Sequence, residues 1–591
     1  MADGGGDASA NLDPTPRFED VEAAPSARAN GVPVHLEDIR YTVSLKNKSE
    51  LVILNGVTAA FQPRKMTALM GPSGCGKTTL LDITAGRKNI GLIEGTVTYG
   101  GVKAKPAVLK HSVGYVEQFD TLVGELTVRQ MLMYTAELRL PTTLTTAEKL
   151  TRVDETIAKL GLNKCEDTVI GNPLQRGISG GQAKRVNIAL SLIMRPSVVY
   201  LDEPTSGLDS HMANEVADSL RVLANEGRTI ICTIHSPTSY AFGLFDDLLM
   251  LKSGEVIYAG EVAQAASYFQ TATGQAPPSV AYSLPEYLVD LTSKPRTAAI
   301  TTTTQPEIDF SKVWREAGHA SKAPVSKAAD TEPSLGLEKP PSMPGPLKQL
   351  WTLLRFRTAT HYQNGEFLGP RIGDKLIFGL LILSLYWAIG AEEDAQSIQS
   401  TASLLYFICA LCGYGAAAFV PSLTLDRPLY YRELADGCYS PLVYYLSKFI
   451  EEAVLAIFTS LLFATITFFG CNLQGSFLVF ASVYYLTTMC GICLAYAVAA
   501  IAPNMDAANA LLPSYVTMCM YFGGCVPSPP TVASHPPSLR PWRRGCLLLA
   551  THARLRPASA PYRHIVSLRA ASSSSSTRFP PAGGGSRGHR S

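Results

Sequence analysis

A glycine-rich loop at residues 71–78 sets the strictest condition on how this chain can fold. It reads GPSGCGKT, follows the apolar run MTALM and precedes the helical run TLLDITAG. Glycines allow successive backbone N–H groups to surround phosphates, while a lysine supplies a cation and a threonine hydroxyl a ligand for Mg²⁺. We therefore predict a strand–loop–helix phosphate site. Its nucleotide-binding residues are predicted to be Gly71, Pro72, Ser73, Gly74, Cys75, Gly76, Lys77, Thr78 and Thr79.

The sequence around this loop alternates short β-rich runs with longer helical runs. That alternation predicts an α/β domain with a largely parallel core sheet over residues 34–294. Residues 1–33 are rich in Gly, Ala, Asp and Pro and show no apolar signal segment, so we expect a disordered start and a cytosolic domain. Residues 295–345, rich in Pro, Thr, Ser and Lys, are predicted to be a linker.

The second half of the chain is dominated by Leu, Ala, Phe, Tyr and Val. Such long apolar runs cannot all be buried in one soluble core, so we predict a transmembrane domain over residues 371–526. An amphipathic connecting helix is predicted before it, over 346–370, either packed or lying at the membrane surface. About five spans are predicted, at 371–390, 402–421, 444–470, 476–501 and 507–526. The predicted fold class is an α/β P-loop NTPase followed by an all-α transmembrane domain.

Charge patterning orients this arrangement. The loop after the first predicted span has neither Lys nor Arg, whereas basic residues stand at the start of that span and in or beside the loop after the second. The positive-inside bias therefore places the N-terminal domain in the cytosol. The net charge of the 591-residue chain is only +2, so nucleic acid is not expected as a partner.

Two further patterns suit phosphate chemistry. The apolar run VVYL ends in Asp202 and Glu203. An acid at a strand end beside a phosphate loop can organise Mg²⁺, and a second acid can accept a proton from attacking water. Residues 179–182 (SGGQ) begin a helical run, where free N–H groups and the positive end of the helix dipole face an anion. We therefore hypothesise that ATP is bound from two sides, by a phosphate loop and by a helix start of this kind.

Taken together, these motifs resemble the ABC transporter family. In chain order, GPSGCGKT resembles Walker A, and GYVEQFD resembles the Q-loop with Gln118. ISGGQ resembles the signature, with Ser179, Gly180, Gly181 and Gln182, and VVYLDEP resembles Walker B. SGLD resembles the D-loop, with Ser206 and Asp209, and CTIHSP contains a residue that resembles the switch histidine, His235. Tyr41 could stack on adenine, or it could be an ordinary strand aromatic. The ATPase-first order and the stretch DRPLYYRELADGCYSPLVYYLSKFIEE are similar to the G subfamily, in which that stretch is a short cytosolic helix touching the ATPase domain.

The resemblance implies a dimer in which each ATP lies between one subunit's Walker A and the other subunit's signature. Glu203 would be the general base, His235 would stabilise the γ-phosphate, and Gln118 would sense Mg²⁺ and couple to the membrane helices. Thr78, Gln118 and Asp202 would hold Mg²⁺. The partner would be a second half-transporter, identical or different.

The transported substrate is expected to be lipophilic or amphipathic, although the aromatics in the spans suit helix packing equally well. A non-transport ABC ATPase would lack the apolar half. A transport-incompetent or regulatory subunit stays an alternative, because residues 527–591 are rich in Arg, Pro and Ser, have no Lys, Asp or Glu, and offer no stretch for a sixth span. We predict that this tail is not a functional part of a transporter; a lineage-specific basic tail is the other interpretation.

Overall fold

The computed structural model describes residues 31–44, 49–88, 90–172, 176–274, 283–293, 309–316, 343–391 and 394–522. The predicted disordered N-terminus up to residue 30 and the predicted aberrant tail lie outside them. The strands are β1 (Val34–Ser44), β2 (Glu50–Phe61), β3 (Met66–Met70), β4 (Leu92–Tyr99), β5 (Val113–Val116), β6 (Val198–Asp202), β7 (Thr229–Thr233), β8 (Asp247–Lys252) and β9 (Glu255–Glu261).

Helices alternate with these strands and then continue alone. In the first half they are α1 (Lys77–Thr84), α2 (Pro106–Ser112), α3 (Val128–Arg139), α4 (Thr146–Lys159), α5 (Gly180–Leu192), α6 (Ser210–Asn225), α7 (Ser239–Gly243), α8 (Val262–Thr273), α9 (Leu284–Thr292) and α10 (Phe310–Glu316). In the second half they are α11 (Pro346–Leu353), α12 (Ala359–His361), α13 (Gly365–Leu385), α14 (Ala395–Gly415), α15 (Val420–Thr424), α16 (Arg427–Ala435), α17 (Pro441–Gly470), α18 (Phe477–Ile501) and α19 (Met505–Phe522).

The strands form two sheets. One is a three-stranded antiparallel sheet in the order β2-β1-β4, and the other is six-stranded in the order β5-β6-β7-β3-β8-β9. In the larger sheet only β9 runs antiparallel to its neighbour. Strands β3, β6 and β7 are buried along their whole length, which explains their continuous apolar runs. The α/β domain with a largely parallel core sheet is therefore confirmed.

The second half is helical, and within the described residues three segments are long and apolar enough to cross a membrane. They are Gln396–Thr424, Pro441–Gly470 and Phe477–Ile501, with mean hydropathies of 1.9, 2.1 and 1.9. The second, third and fourth predicted spans fall on them. The first and fifth fall largely on α13 and α19, which do not meet the same criterion, so the number of spans stays a prediction.

A packed helix interrupts the predicted linker. In α10, Phe310 and Trp314 are buried four residues apart on one face. The Trp314 ring lies 5.7 Å from that of Tyr258 and 5.5 Å from that of Tyr268, measured between centroids. The surrounding Pro- and Thr-rich composition hid this short apolar face. Within the predicted linker, residues 310–316 therefore form a packed helix, and the bounds of the linker stay a prediction.

The predicted connecting helix is built from α11, a π-helical turn (Leu354–Thr358), α12 and the start of α13. Of its predicted apolar face, Leu347 and Trp351 are exposed, whereas Leu350 and Leu354 are half-buried. Two large apolar side chains thus remain uncovered by the described part of the chain.

Candidate functional site

The sheet order brings four sequence motifs to one edge. Parallel strands β5, β6, β7 and β3 are consecutive neighbours, so their carboxyl ends lie side by side. The phosphate loop follows β3, Gln118 follows β5, Glu203 follows β6, and His235 follows β7. Ligand sites in such sheets lie outside the carboxyl ends of the strands.

The phosphate loop has a backbone that requires glycine. Gly71, Gly74 and Gly76 have φ values of 143°, 80° and 101°. A Cβ on Gly71 would lie 2.1 Å from the carbonyl oxygen of Leu251, so no side chain fits there. Lys77 Nζ donates to the carbonyl oxygens of Gly71 (2.9 Å) and Pro72 (3.0 Å), so its cation is held inside the loop. This cradle of backbone groups and one ammonium fits a chain of phosphates.

A hydroxyl and a carboxylate meet beside the loop. Thr78 Oγ1 donates to Asp202 Oδ1 at 3.1 Å, and the buried Thr233 Oγ1 donates to the same oxygen at 2.5 Å. Burial raises the pKa of Asp202, while the two hydroxyl hydrogen bonds oppose that rise. A hydroxyl and a carboxylate in contact are hard oxygen ligands of the kind that Mg²⁺ takes. Thr78 and Asp202, two of the residues predicted to hold Mg²⁺, are therefore chemically suited to it.

The predicted general base contacts the predicted Q-loop residue. Gln118 Nε2 donates to Glu203 Oε2 at 2.9 Å, across 85 positions of sequence. Glu203 has a φ of 46°, in the left-handed region that non-glycine residues rarely adopt, and its N–H donates to Thr233 Oγ1 at 2.8 Å. The structure thus places Gln118 on Glu203. Its contact with Mg²⁺ stays a prediction.

His235 reaches the phosphate loop from the end of β7. Its Nε2 lies 3.3 Å from Ser73 Oγ, and its Nδ1 lies 3.3 Å from Ser236 Oγ. The histidine is exposed, so both ring nitrogens lie at a solvent-facing surface of the site. This position agrees with the predicted switch role, in which an imidazole acts on a phosphate held by the loop.

The signature residues begin α5. Ser179 is its N-cap and accepts from the Gln182 N–H, and the Gln182 side chain accepts from the Ser179 N–H, forming a capping box. Ser179 and Gly180 are exposed, whereas Gly181 is buried. A Cβ on Gly181 would lie 2.9–3.0 Å from three side-chain atoms of Met212 in α6, so Gly181 is also a packing residue.

The D-loop residues are exposed as well. Asp209 is the N-cap of α6 and accepts from the Met212 N–H at 2.9 Å. The Ser206 N–H donates to the Glu203 carbonyl oxygen at 3.1 Å, which closes a turn directly after the predicted base. Both residues are therefore accessible to a molecule outside the described chain, although the Asp209 carboxylate also caps α6.

Tyr41 does not fit its predicted adenine-stacking role. Its side chain is only 2% exposed, and its hydroxyl donates to the Ile90 carbonyl oxygen at 2.7 Å. A ring enclosed in this way has no open face for a base, which favours the alternative of an ordinary strand aromatic. The apolar groups next to the loop are instead Ile53 and Leu54, which lie 3.6 Å and 2.7 Å from the position of a Cβ on Gly76.

A joint connects the site to the helical half. Arg87 Nη1 contacts Glu117 Oε1 at 3.1 Å, while its Nη2 forms an ion pair with Asp436, directly after α16. Within α16, Arg432 donates to the carbonyl oxygen of Thr121. These contacts flank Gln118 on both sides, so α16 touches the same loop that touches Glu203.

A buried carboxylate completes this joint. Glu433 of α16 is 2% exposed, and its Oε2 accepts from Tyr134 of α3 at 3.1 Å and from Tyr439 at 2.7 Å. Burial raises the pKa of Glu433, which the nearby guanidinium groups of Arg357 and Arg432 oppose. These bonds form the predicted contact between this stretch and the ATPase domain. Its location in the cytosol stays a prediction.

Sequence reasoning missed Thr233 and the residues of the joint. Thr233 gives no signal of its own, because a threonine ending a buried strand is common. Arg87, Tyr134 and Asp436 lie far apart in sequence, and only the fold brings them together. The one available signal was the resemblance of the stretch around α16 to the G subfamily, in which this stretch touches the ATPase domain.

Family models match both halves of the chain. A family model described as ABC transporter matches residues 54–206, one described as ABC-2 type transporter matches 348–542, and an AAA domain model matches 178–239. The ABC-2 match extends beyond the predicted end of the transmembrane domain at 526. A solved dimeric ATP-binding cassette, in a post-hydrolysis state bound to ADP and Pi, is 25% identical with a TM-score of 0.34, covering 39% of this chain and 98% of that chain.

Curated relatives give the family. The broad substrate specificity ATP-binding cassette transporter ABCG2 of Sus scrofa is 30% identical over 561 residues, 85% of this chain and 81% of the relative. ABC transporter G family member 22 of Arabidopsis thaliana is 31% identical over 545 residues, 86% of this chain and 72% of the relative. Other relatives are longer: the chain spans 31% of G family member 47 of Oryza sativa subsp. japonica, at 32% identity over 437 residues, 71% of this chain.

Fold, site and comparisons define one class: an ATP-binding cassette domain followed by an ABC-2 type membrane domain. Within that class, the chain belongs to the G family of ABC transporters.

Proposed function

We propose that this chain binds and hydrolyses ATP with Mg²⁺, and that it couples hydrolysis to export of a lipophilic or amphipathic substrate across a membrane. The observation that carries the proposal is a continuous set of contacts from the site to the helical half. Glu203 contacts Gln118 (2.9 Å), and the adjacent Glu117 contacts Arg87 (3.1 Å), which pairs with Asp436. A change at the phosphate site thus has a direct path to α16.

Each group at the site has a chemical task. The loop N–H groups and Lys77 bind phosphates, and Thr78 and Asp202 would hold Mg²⁺, which neutralises charge on the phosphates. Glu203 accepts the proton of the attacking water, and the Gln118 amide holds the Glu203 carboxylate in position. His235, whose Nε2 lies 3.3 Å from Ser73 of the loop, stabilises the γ-phosphate.

The signature implies a second subunit. Ser179 and Gly180 are exposed at the start of α5, where free N–H groups and the helix dipole favour an anion. We propose that this helix start completes the ATP site of a partner half-transporter, with the exposed Ser206 and Asp209 at the same interface. Homodimer and heterodimer both satisfy this geometry, since every predicted catalytic group is present in the chain.

The membrane domain supports a multi-pass protein with a cytosolic ATPase domain. Exposed Leu347 and Trp351 on α11 suit the interface of a lipid bilayer, beside Arg355. A relative, ABCG2 of Sus scrofa, is named for broad substrate specificity, which supports transport of more than one substrate by this chain.

The test uses the purified chain in lipid vesicles. Glu203→Gln keeps the shape and one oxygen acceptor but cannot take a proton, so we expect ATP binding to persist and hydrolysis to fall roughly 10²–10⁴-fold. Glu155→Gln, at an exposed carboxylate that pairs with Arg195 at 2.8 Å, is the matched control and should keep the wild-type rate.

Two results discriminate further. An unchanged rate in Glu203→Gln would remove Glu203 from the role of base. ATP hydrolysis by the wild-type chain without export of any lipophilic probe would favour the alternative, a regulatory subunit that pairs with a complete half-transporter.

A further inference from the structure

A cavity of about 360 Å³ lies between the ATPase domain and α16. Its ATPase-side wall comes from the segment after α1, from α2 and from the start of β5; its other wall is the end of α16. The volume is within the range of small-molecule sites. It is separate from the phosphate loop, whose residues do not line it.

The cavity walls combine apolar side chains with polar and charged ones. Pro106, Leu109 and Val113 form one side, and Leu434 lies opposite. Tyr431 of α16 also lines it, and that residue is 60% exposed. Apolar side chains on both walls, together with charged groups at the same cavity, suit an amphipathic ligand with an apolar body and one polar group.

The charges around the cavity leave one cation without a counter-charge. Asp436 is paired with Arg87 and, at 3.5 Å, with Arg139; Glu117 is paired with Arg87. Arg87, Arg139 and Lys110 carry three positive charges against two carboxylates. Lys110 is exposed at the cavity and forms no ion pair within the described part of the chain. Its stem reaches the end of α16, where Lys110 Cδ lies 3.7 Å from the position of a Cβ on Gly437.

We propose that this cavity is a regulatory binding site for a small amphipathic anion, an aromatic or otherwise flat apolar molecule with one carboxylate, sulfonate or phosphate. Lys110 binds the anionic group, and the apolar walls bind the remainder. Arg87, whose guanidinium stands 4.2 Å from the ring centroid of Tyr115, lines the same cavity and bridges Glu117 to Asp436. A ligand here contacts the bridge between Gln118's loop and α16, and so changes the ATPase rate. This consequence rests on the proposed function.

The test measures binding and ATPase activity of the full chain with 2-naphthalenesulfonate, and with uncharged 2-naphthol for comparison. Lys110→Glu should weaken sulfonate binding about tenfold or more, because it replaces an attraction by a like-charge repulsion. Lys103→Glu makes the same charge change at an exposed lysine that does not line the cavity, and should bind like the wild type. Naphthol should bind both lysine variants and the wild type equally.

Ala435→Trp fills the cavity from α16 and should remove binding of both probes. In the wild type and in Lys103→Glu, the sulfonate should change the ATPase rate; in Lys110→Glu it should not at the same concentration. Equal sulfonate affinity in Lys110→Glu and the wild type would overturn the site, and binding without any change of rate would overturn its regulatory role. A wild-type chain with no ATPase activity would instead count against the proposed function, and the binding comparison would still decide the site.

Discussion

Two adjacent signature glycines, Gly180 and Gly181, should respond to substitution in opposite ways. A Cβ on Gly180 would meet Leu208 Cδ2 at 3.5 Å, an ordinary van der Waals contact. A Cβ on Gly181 would meet three atoms of Met212 at 2.9–3.0 Å, so Gly181→Ala overpacks the contact between α5 and α6. We expect Gly181→Ala to reduce the free energy of unfolding by about 1–3 kcal/mol.

Gly180→Asp should spare the fold and stop catalysis. Residue 180 is the first of α5, where an acid interacts favourably with the helix dipole by about 0.3–1 kcal/mol. In the proposed dimer, however, the new carboxylate faces the partner's γ-phosphate. Two unit charges 4 Å apart at an effective dielectric constant of 20 repel by about 4 kcal/mol. That repulsion corresponds to a loss of roughly 10³-fold in formation of the ATP-bound dimer.

The assay combines phosphate release with thermal unfolding of the purified chain. Gly180→Asp should keep the wild-type Tm and lose ATPase activity, whereas Gly181→Ala should lower the Tm. Gly243→Asp is the control, because a Cβ on Gly243 meets nothing within 4 Å and the residue lies outside the site. Wild-type turnover by Gly180→Asp would refute the shared ATP site, and an unchanged Tm in Gly181→Ala would refute the packing argument.

Three further substitutions test the site, the linker helix and the joint. Thr233→Val leaves the Glu203 N–H without its acceptor, which should cost about 1–3 kcal/mol in unfolding free energy and lower the ATPase rate; Thr233→Ser should restore both. Trp314→Ala should cost about 3–5 kcal/mol by chemical denaturation, and no change would mean that α10 does not pack as described. Asp436→Asn removes the carboxylate that pairs Arg87 with the helical half and leaves Glu117 in place, so hydrolysis should persist while export in vesicles falls; equal export would exclude a coupling role.

The phosphate site could be predicted because its residues lie in short contiguous motifs. Gly71, Lys77 and Asp202 depend on local backbone geometry, and parallel strand order then brings their motifs to one edge of the sheet. Nothing in that inference needs a long-range contact to be known in advance. The same reasoning covers Glu203 and His235, each of which directly follows a strand or lies within two residues of its end.

Tyr41 shows where such reasoning fails. Strict alternation along β1 from the buried Val34 and Leu36 would place residue 41 on the opposite, outer face. Instead a β-bulge lies between Leu36 and Ile39, with Asp38 at a φ of 47°, and it shifts the alternation by one residue. One extra residue therefore turns the tyrosine into the core. The sequence gives no clear sign of this bulge.

The residues of the joint could not be predicted for a different reason. Tyr134 and Glu433 are separated by 299 positions, and nothing local in either segment indicates the other. Such a contact depends on how two separately folded layers meet. The resemblance to the G subfamily predicted that the stretch around α16 touches the ATPase domain, but no sequence pattern identified the residues that meet.

The Glu433 carboxylate, which accepts hydrogen bonds from both Tyr134 and Tyr439, limits where this chain can be cut to build chimaeras with other transporters. A chimaera that joined this ATPase domain to another membrane domain would separate Tyr134 from its acceptor and leave a buried hydroxyl unsatisfied, at about 1–3 kcal/mol. Grafts should therefore be cut outside the joint, so that α16 and Tyr439 travel with α3. The position at which domains can be exchanged therefore lies within the helical half of the chain, after the end of the ATPase fold.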